Sequence, residues 1–246
     1  MLRLLCVTAH PDDEAGAFGG MLLLYASRGV ATHVICLTAR EAASNRGQAR
    51  SNDELSAMRR AEFAESCAIL KVTRGEVLSY PDRGLYCAEP FPAARELAFR
   101  VRQIRPQVMI TFGPEGSFTG HPDHGMAGIF ASLAFHWAAR TDIFLPRDGE
   151  PVYRPQKLYY VTGTFSLPDR EPVSLPPTTT VIDVAEFVEA KIAAFRAHRS
   201  QGPLSPRFER LVRGHIAEER YHLAASATPQ SCTHETDLFA GVADDD

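Results

Sequence analysis

The chain contains no long apolar run and no segment that reads as a leader peptide. No stretch approaches the roughly 18 consecutive apolar residues of a membrane-spanning helix. The apolar run at the N-terminus is also short and becomes polar by Thr8 and His10, which is too soon for a signal peptide. The sequence therefore predicts a cytoplasmic protein that does not enter a membrane.

Basic residues are not concentrated anywhere in the sequence. The 26 Lys and Arg residues against 30 Asp and Glu residues give a net charge of −4, and no basic segment is interleaved with aromatic residues. Because nucleic-acid binding depends on basic surfaces of that kind, we expect no nucleic-acid partner. A small-molecule ligand suits this charge balance better.

Cysteine is sparse and unpaired. The 5 cysteines are odd in number and never form a Cys-x-x-Cys pair, which argues against a disulfide framework and against a thiolate zinc site. Cys6 and Cys36 lie in strand-like runs and are expected to be small buried side chains.

Apolar strand-like runs alternate with amphipathic stretches along most of the chain. Strands are predicted at 2–8, 31–38, 76–80, 107–113, 157–163 and 178–184, and helices at 14–28, 53–71, 91–105, 126–139 and 185–198. This alternation predicts an α/β fold with a mostly parallel sheet. We expect a single domain over residues 1–223, because the length suffices for one large core, and a loose polar tail over 224–246.

A polar cluster directly follows the first predicted strand: His10-Pro11-Asp12-Asp13-Glu14. It falls at a strand-to-helix turn, where open α/β sheets bind ligands. An imidazole and a carboxylate three residues apart can bind one cation, while a neighbouring carboxylate stays off the metal and takes a proton from water. The alternative is structural, since Pro and Asp are also favoured at a helix N-terminus.

A second polar cluster follows the fourth predicted strand and weakens the structural alternative. It reads Gly120-His121-Pro122-Asp123-His124. A parallel sheet can bring both strand ends to the same edge. Four imidazole or carboxylate ligand candidates would then converge on one cleft.

Further motifs lie between and beyond the two clusters. They are Leu37-Thr38 leading to Glu41, Arg59 with Glu62, Tyr80-Pro81-Asp82, Thr111 to Gly116, and Ala197 to Gln201. Together with the two clusters, they resemble the LmbE-like family of zinc-dependent deacetylases, also called the PIG-L family. The resemblance implies a Rossmann-like, three-layer α/β sandwich. It also implies hydrolysis of N-acetyl groups from glucosamine-containing small molecules, and some members are amidases on related conjugates.

Carried over by position, the resemblance assigns a metal site. It implies that Zn²⁺ is bound by His10, Asp13 and His124. Asp12 would be the general base, and His121 would be the general acid or, if protonated, would stabilise the oxyanion.

The resemblance also implies supporting residues. Asp123 would orient a histidine, and Arg59 and Asp82 match positions that contact the sugar in relatives. An ion pair with Glu62 and a simple turn explain Arg59 and Asp82 equally well.

Relatives in the family are often homo-oligomers, so we expect a homo-oligomer here. Phe130, Phe135 and Trp137 would then serve an interface, or they belong to the core.

Three positions depart from the family pattern. Arg40 stands where relatives usually have Gly before the acidic residue that follows the second strand, and Lys71 stands where Gly is common after the second helix. Thr119 replaces a Tyr that polarises the carbonyl in some relatives. We therefore expect the part of the site that faces the substrate to differ from that of relatives. We also expect the oxyanion donor to be missing or supplied by another residue.

Four functions remain open from the sequence. The leading hypothesis is an N-deacetylase of an amino sugar or similar N-acyl compound, and a close alternative is an amidase on a sugar or thiol conjugate. A nucleotide-binding module is disfavoured, because no Gly-x-Gly-x-x-Gly follows the first strand and the carboxylates would repel phosphates. In a metal-binding protein without catalysis, Asp12 and His121 would have only structural roles.

Overall fold

The first strand lies at the centre of the sheet. The computed structural model describes residues 1–142, 151–167, 170–215, 217–228 and 234–244. In it, β1 (Arg3–Thr8) pairs in parallel with β2 (Ala31–Thr38) on one side and with β4 (Val108–Thr111) on the other. Helices cover both faces of a parallel sheet, and the apolar run that forms β1 is accordingly buried from Leu4 onward.

The strands within the described ranges form one seven-stranded sheet in the order β3-β2-β1-β4-β5-β7-β6. β3 (Arg74–Tyr80) and β5 (Lys157–Thr162) extend the parallel part, while β6 (Thr180–Asp183) and β7 (Glu218–Ser226) pair antiparallel at one edge. The chain runs outward from β1 to β3 and then crosses back to β4. The strand order therefore reverses between β1 and β4, and ligands bind at such a switch point.

The helices pack around the sheet in two groups. The α-helices within the described ranges are α1 (Asp13–Gly16), α2 (Gly19–Ser27), α3 (Asn52–Ile69), α4 (Pro90–Ile104), α5 (Pro122–Trp137), α6 (Val188–Ala197) and α7 (Ser205–His215). α3 and α2 pack against α6, and α4 packs against α5. Right-handed crossovers on the two sides of β1 place these groups on opposite faces. The predicted α/β sandwich with a mostly parallel sheet is confirmed.

Two helices begin or end differently from the prediction. The stretch 14–28 forms two helices, α1 and α2, rather than one. A Cβ at Gly20 would lie only 2.7 Å from Cβ of Val184, so α2 approaches its neighbour closely at its first turn. α5 begins at Pro122 rather than at 126, because Pro presets the first helical turn and the side chain of His121 caps it. Asp123 and His124 therefore lie on the helix itself.

The C-terminal part of the chain is more ordered than its composition predicts. The sequence did not indicate α7 or β7, and the expected boundary at residue 223 falls inside β7. Leu238 is fully buried, and the Tyr25 hydroxyl donates a hydrogen bond of 2.8 Å to Asp237. Residues 234–244 are thus packed rather than loose, whereas 229–233 and 245–246 lie outside the described residues. The single-domain interpretation stays a prediction.

The aromatic residues of α5 divide between core and surface. Phe130 and Phe135 are buried, whereas Trp137 is half-buried and stacks on the exposed Phe91 with 5.4 Å between ring centroids.

Among the described helices, none has both the length and the apolar character needed to span a membrane.

Candidate metal and catalytic site

The two polar clusters meet at the switch point between β1 and β4. The ring centroid of His10 lies 4.8 Å from that of His121 and 5.3 Å from that of His124. Asp13 contacts two of these histidines: its Oδ1 lies 3.2 Å from His124 Nε2, and its Oδ2 lies 3.7 Å from His10 Nδ1. The structure therefore brings together three histidines and a carboxylate from segments more than 100 residues apart in sequence.

His10 is oriented by two carboxylates behind it. Its Nε2 lies 3.2 Å from Asp123 Oδ2 and 3.3 Å from Asp82 Oδ1. Burial alone would lower the pKa of His10, but these two carboxylates outweigh burial and raise the pKa to about 9. The other ring nitrogen, Nδ1, is buried without a hydrogen-bond partner among the described residues. Such an arrangement is how proteins direct one histidine nitrogen towards a metal.

His124 and Asp13 complete the arrangement around that unpartnered nitrogen. Thr119 Oγ1 lies 3.1 Å from His124 Nδ1, which leaves Nε2 directed at Asp13. Asp13 Oδ2 also accepts hydrogen bonds from the backbone N–H groups of His10, at 2.8 Å, and Ala9, at 3.2 Å. Burial would raise the pKa of the Asp13 carboxyl, but the adjacent His124 imidazole lowers it, so Asp13 is held as a carboxylate.

His121 presents one N–H group to the site. Its Nδ1 accepts a hydrogen bond of 3.1 Å from the backbone N–H of Asp123, so a neutral ring carries its proton on Nε2. Burial, together with the nearby His10, lowers the pKa of His121 to about 4. The structure therefore favours a neutral hydrogen-bond donor over the protonated histidine considered from the sequence.

Asp12 lies between two arginines. Arg40 Nη1 is 3.3 Å and 3.4 Å from its two carboxylate oxygens, and Arg59 Nη1 is 3.6 Å from Oδ2. The Asp12 backbone has a φ of 115°, a conformation that costs energy in any residue with a Cβ. Its side chain makes no capping hydrogen bond to α1, so helix capping does not account for the residue.

Arg59 and Asp82 lie behind the site. Arg59 is fully buried and donates to the Pro11 carbonyl at 3.2 Å, while its expected ion-pair partner Glu62 accepts from Ser200 instead. Asp82 accepts from the Ala42 backbone N–H at 3.1 Å and contacts His10. Neither side chain lines the cavity described below. Arg59 contacts Asp12 and Asp82 contacts His10, and their role as sugar contacts stays a prediction.

A buried network beneath the first cluster was not recognised from the sequence. Glu14 accepts hydrogen bonds from the Asp12 backbone N–H at 3.0 Å and from Ser66 Oγ at 2.6 Å, and His198 Nε2 lies 2.6 Å from it. Burial would lower the pKa of His198, but the Glu14 carboxylate raises it. Glu14, the third acid of the first cluster, was the sequence signal that could have revealed this network. Its contact with His198 also gives a structural role to the motif Ala197 to Gln201, which had none in the sequence analysis.

A cavity of about 350 Å³ opens over these side chains. Asp12, Asp13, His121 and His124 line one end, next to Arg40. Apolar side chains form much of the remaining lining, which also includes polar residues of β5, α6 and β7: Phe118, Val161, Phe165, Leu167, Phe195, Leu204, Phe208 and Leu211. An apolar cavity with a few convergent polar groups is typical of a small-molecule site.

Two groups of side chains within the described residues have the geometry for a metal ion: His10 with His121 and His124, and His10 with Asp82 and Asp123. In the second group, the carboxylates already accept from backbone N–H groups and from His10. Next to the first group, Asp13 keeps Oδ1 beside His124 Nε2 while Oδ2 accepts from backbone N–H groups, so His10 Nδ1, Asp13 Oδ1 and His124 Nε2 are the candidate ligand atoms. Nitrogen and oxygen donors of this kind suit catalytic zinc, so the residues present fit such a metal.

The switch-point position and the His/Asp site define a Rossmann-like α/β protein with a candidate metal centre. Residues 5–135 match the PIG-L family, described as GlcNAc-PI de-N-acetylase. The chain belongs to this family, and the resemblance seen in the sequence is confirmed.

Characterised relatives extend the similarity over nearly the whole chain. The chain is 30% identical to a mycothiol S-conjugate amidase of Streptomyces coelicolor, with 99% of this chain and 98% of the relative covered. It is 32% identical to a 1D-myo-inositol 2-acetamido-2-deoxy-alpha-D-glucopyranoside deacetylase of Saccharopolyspora erythraea, with 98% and 94% covered. Among solved structures, the conserved protein TT1542 of Thermus thermophilus aligns with a TM-score of 0.72 at 26% identity, covering 94% of this chain and 98% of that one.

Proposed function

We propose that this protein is a zinc-dependent hydrolase that removes the N-acetyl group from a glucosamine-containing or related N-acyl small molecule. The observation that carries the proposal is the buried, unpartnered His10 Nδ1 beside Asp13 and His124, next to a carboxylate in a cavity. The names of the two relatives, one an amidase and the other a deacetylase, agree with hydrolysis of an amide bond.

The metal would be held by His10 Nδ1, Asp13 and His124 Nε2. When bound, zinc supplies Lewis acidity, which polarises a carbonyl and lowers the pKa of water towards about 7. Asp123 and Asp82 fix the ring of His10 from behind, and Thr119 fixes the ring of His124. These contacts occupy one nitrogen of each ring and direct the other, the ligand nitrogen, towards the metal.

Asp12 is the base in this proposal. Its carboxylate lines the cavity beside Asp13, where it takes a proton from the attacking water and returns it to the leaving amine. Arg40 and Arg59 hold the carboxylate from two sides, so its position is set before the substrate binds.

His121 is the oxyanion donor. With Nδ1 occupied by the backbone N–H of Asp123, the Nε2–H group is the one available to a developing negative charge on the carbonyl oxygen. This assignment supplies the donor that the replacement of Tyr by Thr119 otherwise leaves missing.

An amidase that cleaves a larger sugar or thiol conjugate is the second candidate. The relative from Streptomyces coelicolor carries that name, and the chemistry at Asp12 and His121 would be the same. The two candidates differ only in the group that fills the cavity beyond the amide.

The test combines metal analysis with a change in the base. We expect about one zinc per chain in protein purified without added metal, and release of amine from N-acetylglucosamine derivatives. Asp12→Asn should retain the metal but lose turnover by about 10²–10⁴-fold, because the amide cannot accept the proton. Elemental analysis and an amine assay on both proteins measure these outcomes.

Asp53→Asn is the matched control, since Asp53 is exposed on the first turn of α3, away from the cavity. It should behave as the wild type. Unchanged turnover in Asp12→Asn would remove Asp12 as the base. Protein that contains no metal and cannot be reloaded would overturn the hydrolase proposal, whereas bound metal without turnover of any substrate would favour the binding protein.

The cytoplasmic location and the homo-oligomeric state remain predictions from the sequence. Size measurement in solution tests the second of them.

A further inference from the structure

The lining of the cavity has two chemically different parts. The polar end carries Asp12, Asp13, His121 and His124, whereas phenylalanine, leucine and valine side chains from β5, α6, α7 and the loops after β4 and β5 form an apolar wall. The hydroxyl groups of a sugar need polar partners, such as those at the polar end. The side chains of the apolar wall offer none, and of the charged residues that also line the cavity, Lys191 pairs with Glu219 and Arg220 pairs with Glu218.

Two stacked phenylalanine pairs form this wall. Phe118 stacks on Phe165 with 4.7 Å between ring centroids, and Phe195 stacks on Phe208 with 4.0 Å. Gly163 makes room for the first pair, because a Cβ there would lie 2.5 Å from the Phe118 ring. The rings are therefore packed against the backbone and against one another as a preformed surface.

The apolar wall is also incompletely buried. On α7, Val212 is 1% exposed and belongs to the core, whereas Phe208 and Leu211 face the cavity and are only half-buried. Leu204, just before α7, is 40% exposed. Helix packing explains Val212 and one side of Phe208, which stacks on Phe195, but it does not explain why Leu204 and Leu211 line an open cavity beside a candidate catalytic site.

We infer that the substrate carries an apolar group, which binds against Phe195, Phe208 and Leu211 while the amide lies at the metal end. This inference rests on the proposed function and deepens it by naming the substrate class: N-acylated amino sugars that bear an aliphatic or aromatic substituent. The substituent is either a longer acyl chain on the nitrogen or an apolar aglycone on the sugar. Both sources present the same chemistry to the wall.

Two substrate series distinguish these sources. One varies the acyl chain of N-acylglucosamine from acetyl to octanoyl, and the other varies the alkyl group of an N-acetylglucosaminide from methyl to octyl, all below micelle-forming concentrations. Each buried methylene should raise kcat/KM by about fourfold, until the wall is covered. The rise should occur in the series whose variable group meets the wall.

Variants of the wall test where the group binds. Phe208→Ala and Leu211→Ala should each reduce the preference for the longest member over the shortest by about tenfold, whereas Phe208→Leu should retain most of it. Phe91→Ala is the matched control, because Phe91 is 58% exposed on α4 and does not line the cavity. Thermal melts of all variants separate loss of the contact from loss of the fold.

Calorimetric binding of the alkyl series to zinc-loaded Asp12→Asn separates this inference from the proposed function, because it needs no turnover. Affinity that rises with chain length and falls in the double variants with Phe208→Ala or Leu211→Ala supports the apolar site even if no amide is cleaved. Turnover of the short substrates with no chain-length dependence in either series overturns the inference and leaves the hydrolase proposal intact. A preference that survives both wall variants also overturns it.

Discussion

Each of the three site histidines has one ring nitrogen that is already occupied. Asp123 and Asp82 hold Nε2 of His10, Thr119 holds Nδ1 of His124, and the backbone N–H of Asp123 holds Nδ1 of His121. The remaining nitrogens belong to rings whose centroids lie 4.8–5.3 Å apart. Contacts of this kind decide which nitrogen can bind a metal, and two of the contacting residues, Asp82 and Thr119, lie outside the two clusters.

Thr119 is the most direct test of this orientation. Thr119→Val keeps the volume and shape of the side chain but removes the hydroxyl that contacts His124 Nδ1. We expect the affinity for zinc to fall by about 10–100-fold, since the imidazole loses the partner that fixes its tautomer. Competition with a chelator of known affinity measures the change.

Thr164→Val is the control for this substitution. Thr164 also lines the cavity, but no contact joins it to a histidine among the described residues. Zinc affinity should equal that of the wild type. If Thr119→Val binds zinc as tightly as the control, the hydroxyl does not orient His124.

At the scale of the elements, two glycines of α5 allow this helix to lie close to the end of β4. A Cβ at Gly128 would lie 2.3 Å from the Phe112 carbonyl oxygen, and one at Gly125 would lie 2.6 Å from the Pro114 carbonyl oxygen. The helix can therefore approach the strand end closely, which positions the first turn with Asp123 and His124 over β1. Backbone atoms cannot give way as a flexible side chain can.

Gly128→Ala should lower the free energy of unfolding by about 1–3 kcal/mol, because α5 must move to admit the methyl group. Zinc affinity should fall as well, since His124 moves with the helix. Urea denaturation and chelator competition measure the two effects.

Gly214→Ala in α7 is the matched control. Its Cβ would meet nothing within 4 Å, so the substitution should stabilise the protein by about 0.5–1 kcal/mol through helix propensity alone. A Gly128→Ala variant as stable as the wild type would show that α5 does not depend on this close approach.

At the scale of the whole molecule, Glu219 connects the antiparallel edge to the N-terminal half. It lies on β7, accepts from the backbone N–H groups of Gly20 and Met21 at 2.9 Å each, and pairs with Lys191 of α6 at 2.7 Å. The Tyr221 hydroxyl donates to it at 2.7 Å. One buried carboxylate thus accepts hydrogen bonds from groups on three elements: α2, α6 and β7.

Glu219→Gln should destabilise the protein by about 3 kcal/mol, because the amide leaves the ammonium of Lys191 buried without a countercharge. Chemical denaturation measures the loss. Glu65→Gln is the control, since its ion pair with Arg199 is exposed and should contribute less than about 1 kcal/mol. Equal stability of the two variants would mean that the buried pair does not hold β7 to α6.

The sequence itself determined the α/β class, the positions of the central strands and which residues are candidates for the site. The reason is local: buried parallel strands need continuous apolar runs, and polar clusters at strand ends are visible one segment at a time. The family resemblance added the roles, and the match over residues 5–135 bears out that membership.

Only the tertiary structure decided the contacts that cross the chain. The positions of Arg59 and Asp82 behind the site, the neutral state favoured for His121 and the pairing of Glu14 with His198 depend on neighbours up to 184 residues away. α7 was not predicted from the sequence, although Phe208, Leu211 and Val212 recur at helical spacing. What the sequence could not show is that this face packs against α6 and lines the cavity. Packing brings these side chains together, and no local pattern records which distant residue will complete a buried charge or line a shared cavity.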